Sequence, residues 1–238
     1  MRLRDFQALT FDVYGTLIDW ETGIIEALRP LTTRLETQPS RDKVLEAHAR
    51  HESAQQRVTP TARYCDLLAV VYRRLAEQWR LPVDWRECVR YGQSVGQWPA
   101  FRDSAPALRY LKEHYRLFVL SNVDNDSFAR SNKKLGVVFD GVFTAEDIGS
   151  YKPSDRNFSY MIEQLSTLGI NPAGILHTAE SMFHDHAPAN RAGLTSCHVY
   201  RRAGKEGFGA AMPPETMPHC DFRFESMAAL AEAHRDEA

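Results

Sequence analysis

The sequence predicts an α/β fold: a parallel sheet flanked by helices, with an all-helical unit inserted after the first strand. Two observations carry this. Along residues 99–238, short runs rich in Val, Leu and Phe alternate with helix-like segments, as strands buried on both faces do. Residues 20–98 break that alternation and read as helix after helix. The expected organisation is a core made of residues 1–19 and 99–238 and a helical cap made of residues 20–98.

The first strand is expected at Ala8–Phe11. The helical block follows as Glu21–Leu35, Ser40–Gln56, Thr61–Trp79 and Asp84–Val95, with Ser40 a good N-cap and Trp79, Trp85 and Trp98 packing the cap. Strands resume at Leu117–Leu120, Gly141–Thr144, Ile175–His177 and Thr195–Tyr200, with a weaker sixth at Asp221–Phe224. Helix-like segments Ser104–Glu113, Ser127–Leu135, Asn157–Leu168 and Asp185–Ala192 lie between them, and Ser226 caps a last helix through Ala233. The Gly-rich Ala203–Ala210 and Pro213-Pro214 mark an irregular connection. A cap inserted after the first strand sits over the carboxyl ends of the strands, where such folds bind ligands.

Composition narrows the function classes. Charged residues make up 25% of the 238 and the formal net charge is −2, with both signs interspersed. No basic stripe addresses nucleic acid and no Lys/Arg cluster addresses a membrane surface. No segment approaches the ~18 apolar residues of a membrane span. Cys65, Cys88, Cys197 and Cys220 are far apart and form no CxxC pair. Free thiols in a reducing cytoplasm are the expectation, with neither disulfide nor zinc site.

Four stretches place polar residues just past strand ends: FDVYGT with Asp12, LFVLSNVD with Ser121 and Asn122, GSYKPSDRNF with Lys152, and ILHTAESMFHDHAPANRAG with Glu180 and Asp185. In a doubly wound sheet all four converge on one edge. A nucleophilic carboxylate, a hydroxyl and an amide, a lysine to hold the charge and a second acid make a set for covalent catalysis. Trp20 either packs or walls the pocket, and Asp185 either caps the following helix or activates water, or does both. Glu180 reads as a substrate acceptor, a partner of Lys152 or a remnant metal ligand. For His177, His184 and His186, structural or substrate-contact roles fit better than zinc. His48 and Glu52 share a helix face, ordinarily a solvated one, more sharply a pocket-facing patch.

In order and spacing the four stretches resemble the haloacid dehalogenase superfamily along essentially the whole chain. The resemblance implies a Rossmann-like core, a helical cap, Asp12 as nucleophile, Ser121 in the second motif and Lys152 in the third. Most members are phosphatases, with an aspartate two residues after the nucleophile whose backbone carbonyl helps hold Mg²⁺. Here Tyr14 stands there, and a phenol of pKa about 10 replaces a carboxylic acid poorly. The DxYGT form is similar to the L-2-haloacid dehalogenase branch, which attacks carbon without metal or cofactor. In the fourth motif, Glu180, Met182 and His184 replace that branch's serine, asparagine and tryptophan, while Asp185 is kept. Its cap-arginine pattern matches only partly, at Arg41.

FDVYGTLIDWETGI, RHESAQQ, GSYKP, HTAESMFHDH and YRRAGKEGFGA look like the bacterial azetidine-2-carboxylate hydrolases of the same superfamily. That likeness implies opening of a strained imino acid to 2-hydroxy-4-aminobutyrate through an ester on Asp12. Asp185 and Lys152 serve the water, Ser121 and Asn122 the developing charge, and Tyr14, Thr16, Trp20, Glu180 and His186 contact substrate. The partner expected is a small imino acid or 2-haloacid, with a homodimer by analogy to the dehalogenases.

Overall fold

The structure, a computed structural model, describes residues 1–237. Six strands form one parallel sheet: β1 (Ala8–Phe11), β2 (Arg116–Ser121), β3 (Gly141–Thr144), β4 (Ile175–Ala179), β5 (Thr195–Val199) and β6 (Phe222–Phe224), in the order β3-β2-β1-β4-β5-β6. All four residues of β1 are buried, as a central strand covered on both faces requires. Phe11 lies beside Val119 of β2 and Thr178 of β4. The chain therefore leaves β1, β2 and β4 at one edge, beside the point where strand order reverses. Open α/β sheets bind ligands there.

Helices α1 (Trp20–Thr32), α2 (Arg41–Val58), α3 (Tyr64–Gln78) and α4 (Trp85–Gly92) fill the stretch between β1 and β2, followed by α5 (Ser104–Lys112). Asp19, Ser40 and Asp84 cap α1, α2 and α4 by accepting the backbone N–H three residues on. Two ends fall short of expectation. Pro30 removes a helical donor, and α1 ends at Thr32 rather than Leu35. Helix α4 ends at Gly92 rather than Val95, where α3 approaches so closely that a Cβ would sit 2.0 Å from the Cys65 carbonyl oxygen. Trp85, expected to pack, is 52% exposed, whereas Trp98 is buried against Tyr14.

The remaining helices are α6 (Asn125–Leu135), α7 (Ala145–Ile148), α8 (Asp155–Thr167), α9 (Ala187–Arg191) and α10 (Met227–Asp236). One large apolar cluster joins β1 residues Leu9 and Phe11 to Ile24, Leu45 and Leu68 of α1–α3. A smaller one, around Phe118, Ile148, Phe158 and Ile175, covers the other side of the sheet. The four cysteines are free. Among the described residues, no helix is long and apolar enough to cross a membrane.

Candidate active site

Asp12 is the first residue past β1, and its N–H donates to the Thr178 carbonyl. The chain then turns sharply. Gly15 takes φ +102°, and a Cβ there would come within 2.9 Å of the Trp20 ring nitrogen. Glycine is needed at this position for both reasons. Thr16, one step on, donates its hydroxyl to Asp12 Oδ2 (2.8 Å) and accepts the Glu180 N–H (2.9 Å). Arg201 braces the same turn through the Thr16 carbonyl oxygen at 2.9 and 3.0 Å and pairs with Asp103.

Lys152 is 1% exposed, and its ammonium donates to Asp12 Oδ1 (2.9 Å), Asp185 Oδ1 (2.6 Å) and the Leu120 carbonyl (2.9 Å). Three donors meet three acceptors, so the ammonium has no free proton for a ligand. Burial opposes the charge on Lys152, but the two carboxylates outweigh it and raise its pKa. Burial raises Asp12 above the ordinary carboxyl range, against the pull of Lys152. Burial acts on Asp185 too, but Lys152 and His177 overcome it and hold this group below the usual range. Asp185 Oδ2 is buried without a partner.

Eleven residues line the cavity at Asp12: Asp12, Tyr14, Trp20, Glu52, Tyr64, Ser121, Asn122, Lys152, Ser181, His184 and Asp185. It is narrow, about 20 Å³ on the scale by which one water needs roughly 10–15 Å³. Glu52, from α2, is 4% exposed, and its Oε1 accepts from Tyr64 Oη (2.9 Å) and Gln56 Nε2 (3.1 Å). Its Oε2 lies 3.4 Å from His48 Nδ1. That approach is not an ion pair, because burial lowers His48 to about 3 and keeps the imidazole neutral. Burial pushes Glu52 up to about 7. His184 bonds Ser181 Oγ through Nδ1, and burial lowers its pKa to about 4.

The structure thus gathers Asp12, Lys152, Asp185, Ser121, Asn122, Tyr14 and Trp20 around one cavity. Several expected contacts differ. The Tyr14 hydroxyl bonds Ser131 Oγ (2.9 Å) on α6, away from Asp12, because its ring packs edge-on against Trp98. Thr16 holds the Asp12 carboxylate and does not line the cavity. The Asn122 amide is spent on the Lys152 backbone, accepting its N–H (2.7 Å) and donating to its carbonyl (3.0 Å), whereas the Ser121 hydroxyl is buried and free.

Glu180 lines a separate cavity with His198 and Arg202, and burial with nearby Glu21 and Asp12 raises it to about 8. His186 donates inward to the Ala179 carbonyl (3.0 Å) and packs on His198. A wide turn over Met182–His186 causes this: the Asp185 and His186 N–H groups both reach the Ser181 carbonyl, so His184 faces the cavity and His186 does not. Ser181, not Asp185, caps that turn.

Tyr64 and Ser181 escaped the sequence reading. Tyr64 is one aromatic among nine tyrosines, and its N-terminal place on α3 carries no motif. The pair His48 and Glu52 is buried, not solvated. Arg41 bonds Thr22 Oγ1 and approaches Glu21, with its side chain 42% exposed, outside the cavity.

Among the described residues no group of three or more His, Cys, Asp or Glu side chains is arranged to hold a metal ion. Asp12 and Asp185 converge on an ammonium, and position 14 offers a phenol aimed elsewhere. Position 14 thus brings no carboxylic acid of the phosphatase kind to the site.

A profile of haloacid dehalogenase-like hydrolases matches residues 6–178. Solved structures of similar fold include an L-2-haloacid dehalogenase from Xanthobacter autotrophicus with chloropropionic acid covalently bound, at 20% identity and TM-score 0.77, covering 98% of this chain and 100% of that one. Another L-2-haloacid dehalogenase shares 23% identity at TM-score 0.76, covering 98% and 100%. A defluorinating one shares 19% at TM-score 0.76, covering 97% and 95%. A comparison with curated protein sequences finds no match. Residues 6–178 take in the Asp12 turn, Lys152 and the whole helical block, and with that match the chain belongs to the haloacid dehalogenase-like hydrolases.

Proposed function

We propose that the protein opens L-azetidine-2-carboxylate to 2-hydroxy-4-aminobutyrate by covalent hydrolysis on Asp12. One observation carries this choice of leaving group. The cavity wall holds the buried Glu52 carboxyl, and Lys152, already committed to three acceptors, is the only Lys or Arg among its lining residues. A departing halide needs N–H donors or positive charge. A departing ring nitrogen needs an acceptor and a proton, and a carboxyl at about 7 supplies either.

In the first step an Asp12 oxygen attacks C2, the C2–N bond breaks, and its electron pair stays on nitrogen. The ring nitrogen enters protonated or takes the proton of Glu52; the two forms hold the same single proton. In the second step water held at Asp185 Oδ2 attacks the Asp12 carbonyl carbon and gives a proton to that oxygen. The bond from the Asp12 carbonyl carbon to the substrate oxygen then breaks. That oxygen takes the proton back from Asp185 and stays on C2 as the hydroxyl, while the water oxygen stays in Asp12, whose remaining proton is released. Only the first step touches C2, so the configuration inverts. The free Ser121 hydroxyl is placed to donate to the tetrahedral species.

The second reading is an L-2-haloacid dehalogenase, supported by the full-length fold likeness to such enzymes. Incubation with each substrate separates the two. Release of 2-hydroxy-4-aminobutyrate, lost in Asp12→Asn, is expected. Free halide from an L-2-haloacid with the azetidine untouched would replace this reading by the second.

A further inference from the structure

We infer that His177, a strand residue behind the site, is the positioning residue that turns Asp185 into the acceptor for the hydrolytic water. His177 sits in β4, fully buried, with its ring edge-on to Phe158 at 5.1 Å. It lies on the sheet and outside the cavity lining, so it touches no substrate. Its Nε2 is 3.0 Å from Asp185 Oδ1, and its Nδ1 is 2.9 Å from Thr10 Oγ1 in β1.

The proton inventory fixes the roles. An ionised carboxylate only accepts, so Nε2 carries the hydrogen and donates. Thr10 Oγ1 holds Nδ1 on the far side of the ring. His177 thus bridges Thr10 of β1 and Asp185 Oδ1, which also takes the Lys152 ammonium. With two donors on Oδ1, the carboxylate plane is fixed, and Oδ2 is the atom left buried without a partner. A buried carboxylate oxygen left bare is strongly unfavourable unless something donates to it, and water fits. A strand needs only an apolar side chain at position 177; a histidine there supplies a direction.

This rests on the proposed two-step route, and the test separates the two. His177→Val puts in a β-branched residue suited to a strand and removes the donor. His177→Gln restores an N–H near the place of Nε2. With the substrate that the wild type turns over, His177→Val is expected to lower kcat about tenfold or more, the loss of one charge-assisted bond. The ester should accumulate on Asp12 in intact-mass spectra, its rate of formation changing less than about threefold. His177→Gln should recover most of kcat. Full kcat in His177→Val, or equal slowing of both steps, overturns the inference. Nitrogen-15 NMR of the unliganded protein gives a readout without substrate. His177 is expected as the Nε2–H tautomer, its Nε2 proton signal shifting upfield in Asp185→Ala; an Nδ1–H tautomer overturns the inference even if no substrate is found. Absence of turnover by wild type on either substrate sinks the proposed function alone.

Discussion

Replacing Glu52 by Gln should stabilise the protein above neutral pH while it damages turnover. Burial moves Glu52 from its ordinary value near 4.5 to about 7. A folded-state pKa above the unfolded one favours the native state fully below the unfolded value and loses that advantage as pH rises through the folded value. At pH 8.5 the ionised, buried carboxylate therefore costs about 3 kcal/mol, and at pH 4 nothing. Gln keeps an oxygen for Tyr64 and Gln56, and puts an N–H donor where Oε2 now faces the unpartnered His48 Nδ1. For a chain of this length that is a rise in Tm of about 5–10 °C at pH 8.5, shrinking toward zero near pH 4. Calorimetry of both proteins at the two pH values measures it. Turnover should move the other way. The amide cannot take a proton or hold an ammonium, and losing one charge-assisted contact lowers kcat/KM about 10–150-fold. In wild type, kcat/KM should rise with pH through about 7 as Glu52 ionises to meet a cationic substrate; in Glu52→Gln that limb should vanish. A Tm difference independent of pH would refute the buried-carboxylate reasoning, and an unchanged pH limb would refute its link to the substrate.

Thr16→Val removes the donor to Asp12 Oδ2 and the acceptor of the Glu180 N–H; kcat should fall about tenfold and stability by about 1–3 kcal/mol in denaturant titration. Lys152→Met leaves two buried carboxylates facing each other without the ammonium; about 3–5 kcal/mol of stability should be lost near pH 7. In wild type the depressed Asp185 contributes stability that is present above its unfolded pKa and lost as pH falls through its lower folded one, so the gap to Lys152→Met should narrow in urea melts below about pH 4. Arg41→Ala should leave kcat/KM within about twofold, because the side chain is exposed and paired with Thr22 and Glu21; a large loss would restore a cap arginine at the leaving group.

Strand positions were legible because a sheet buried on both faces allows little but apolar residues: Ala8–Phe11 falls where the pattern puts it, and the expected Leu117–Leu120 lies within β2. Asp12 stood out because it directly follows β1, whereas Lys152, beyond β3 and α7, and Asp185, beyond β4, were picked out by the motifs around them. What the sequence hid is side-chain direction. Tyr14 follows Asp12 by two residues, yet Trp98 turns its phenol to Ser131. His184 and His186 are both next to Asp185, and only the wide turn decides which faces the cavity. Glu52 and Tyr64 come from different helices 12 residues apart, and their bond exists only once α2 and α3 pack.

The division of labour between sheet and helices explains how a full-length fold likeness coexists with about one-fifth identity to the dehalogenases. Forming and hydrolysing an ester on Asp12 makes the same demands whatever group leaves carbon: a held carboxylate, an ammonium beside it, and a second acid facing water. Those groups, Thr16, Lys152, Asp185 and the His177 bond behind them, all sit on the sheet edge. In the proposed reaction the leaving group meets the other wall, where Glu52 and Tyr64 project from α2 and α3. A donor on that wall suits an anion, and an acceptor there suits an amine. Changing the bond broken therefore requires altering the helical wall while the sheet edge keeps its chemistry, and a carboxyl held at about 7 is the feature of this wall that an anionic leaving group would not tolerate once it ionises.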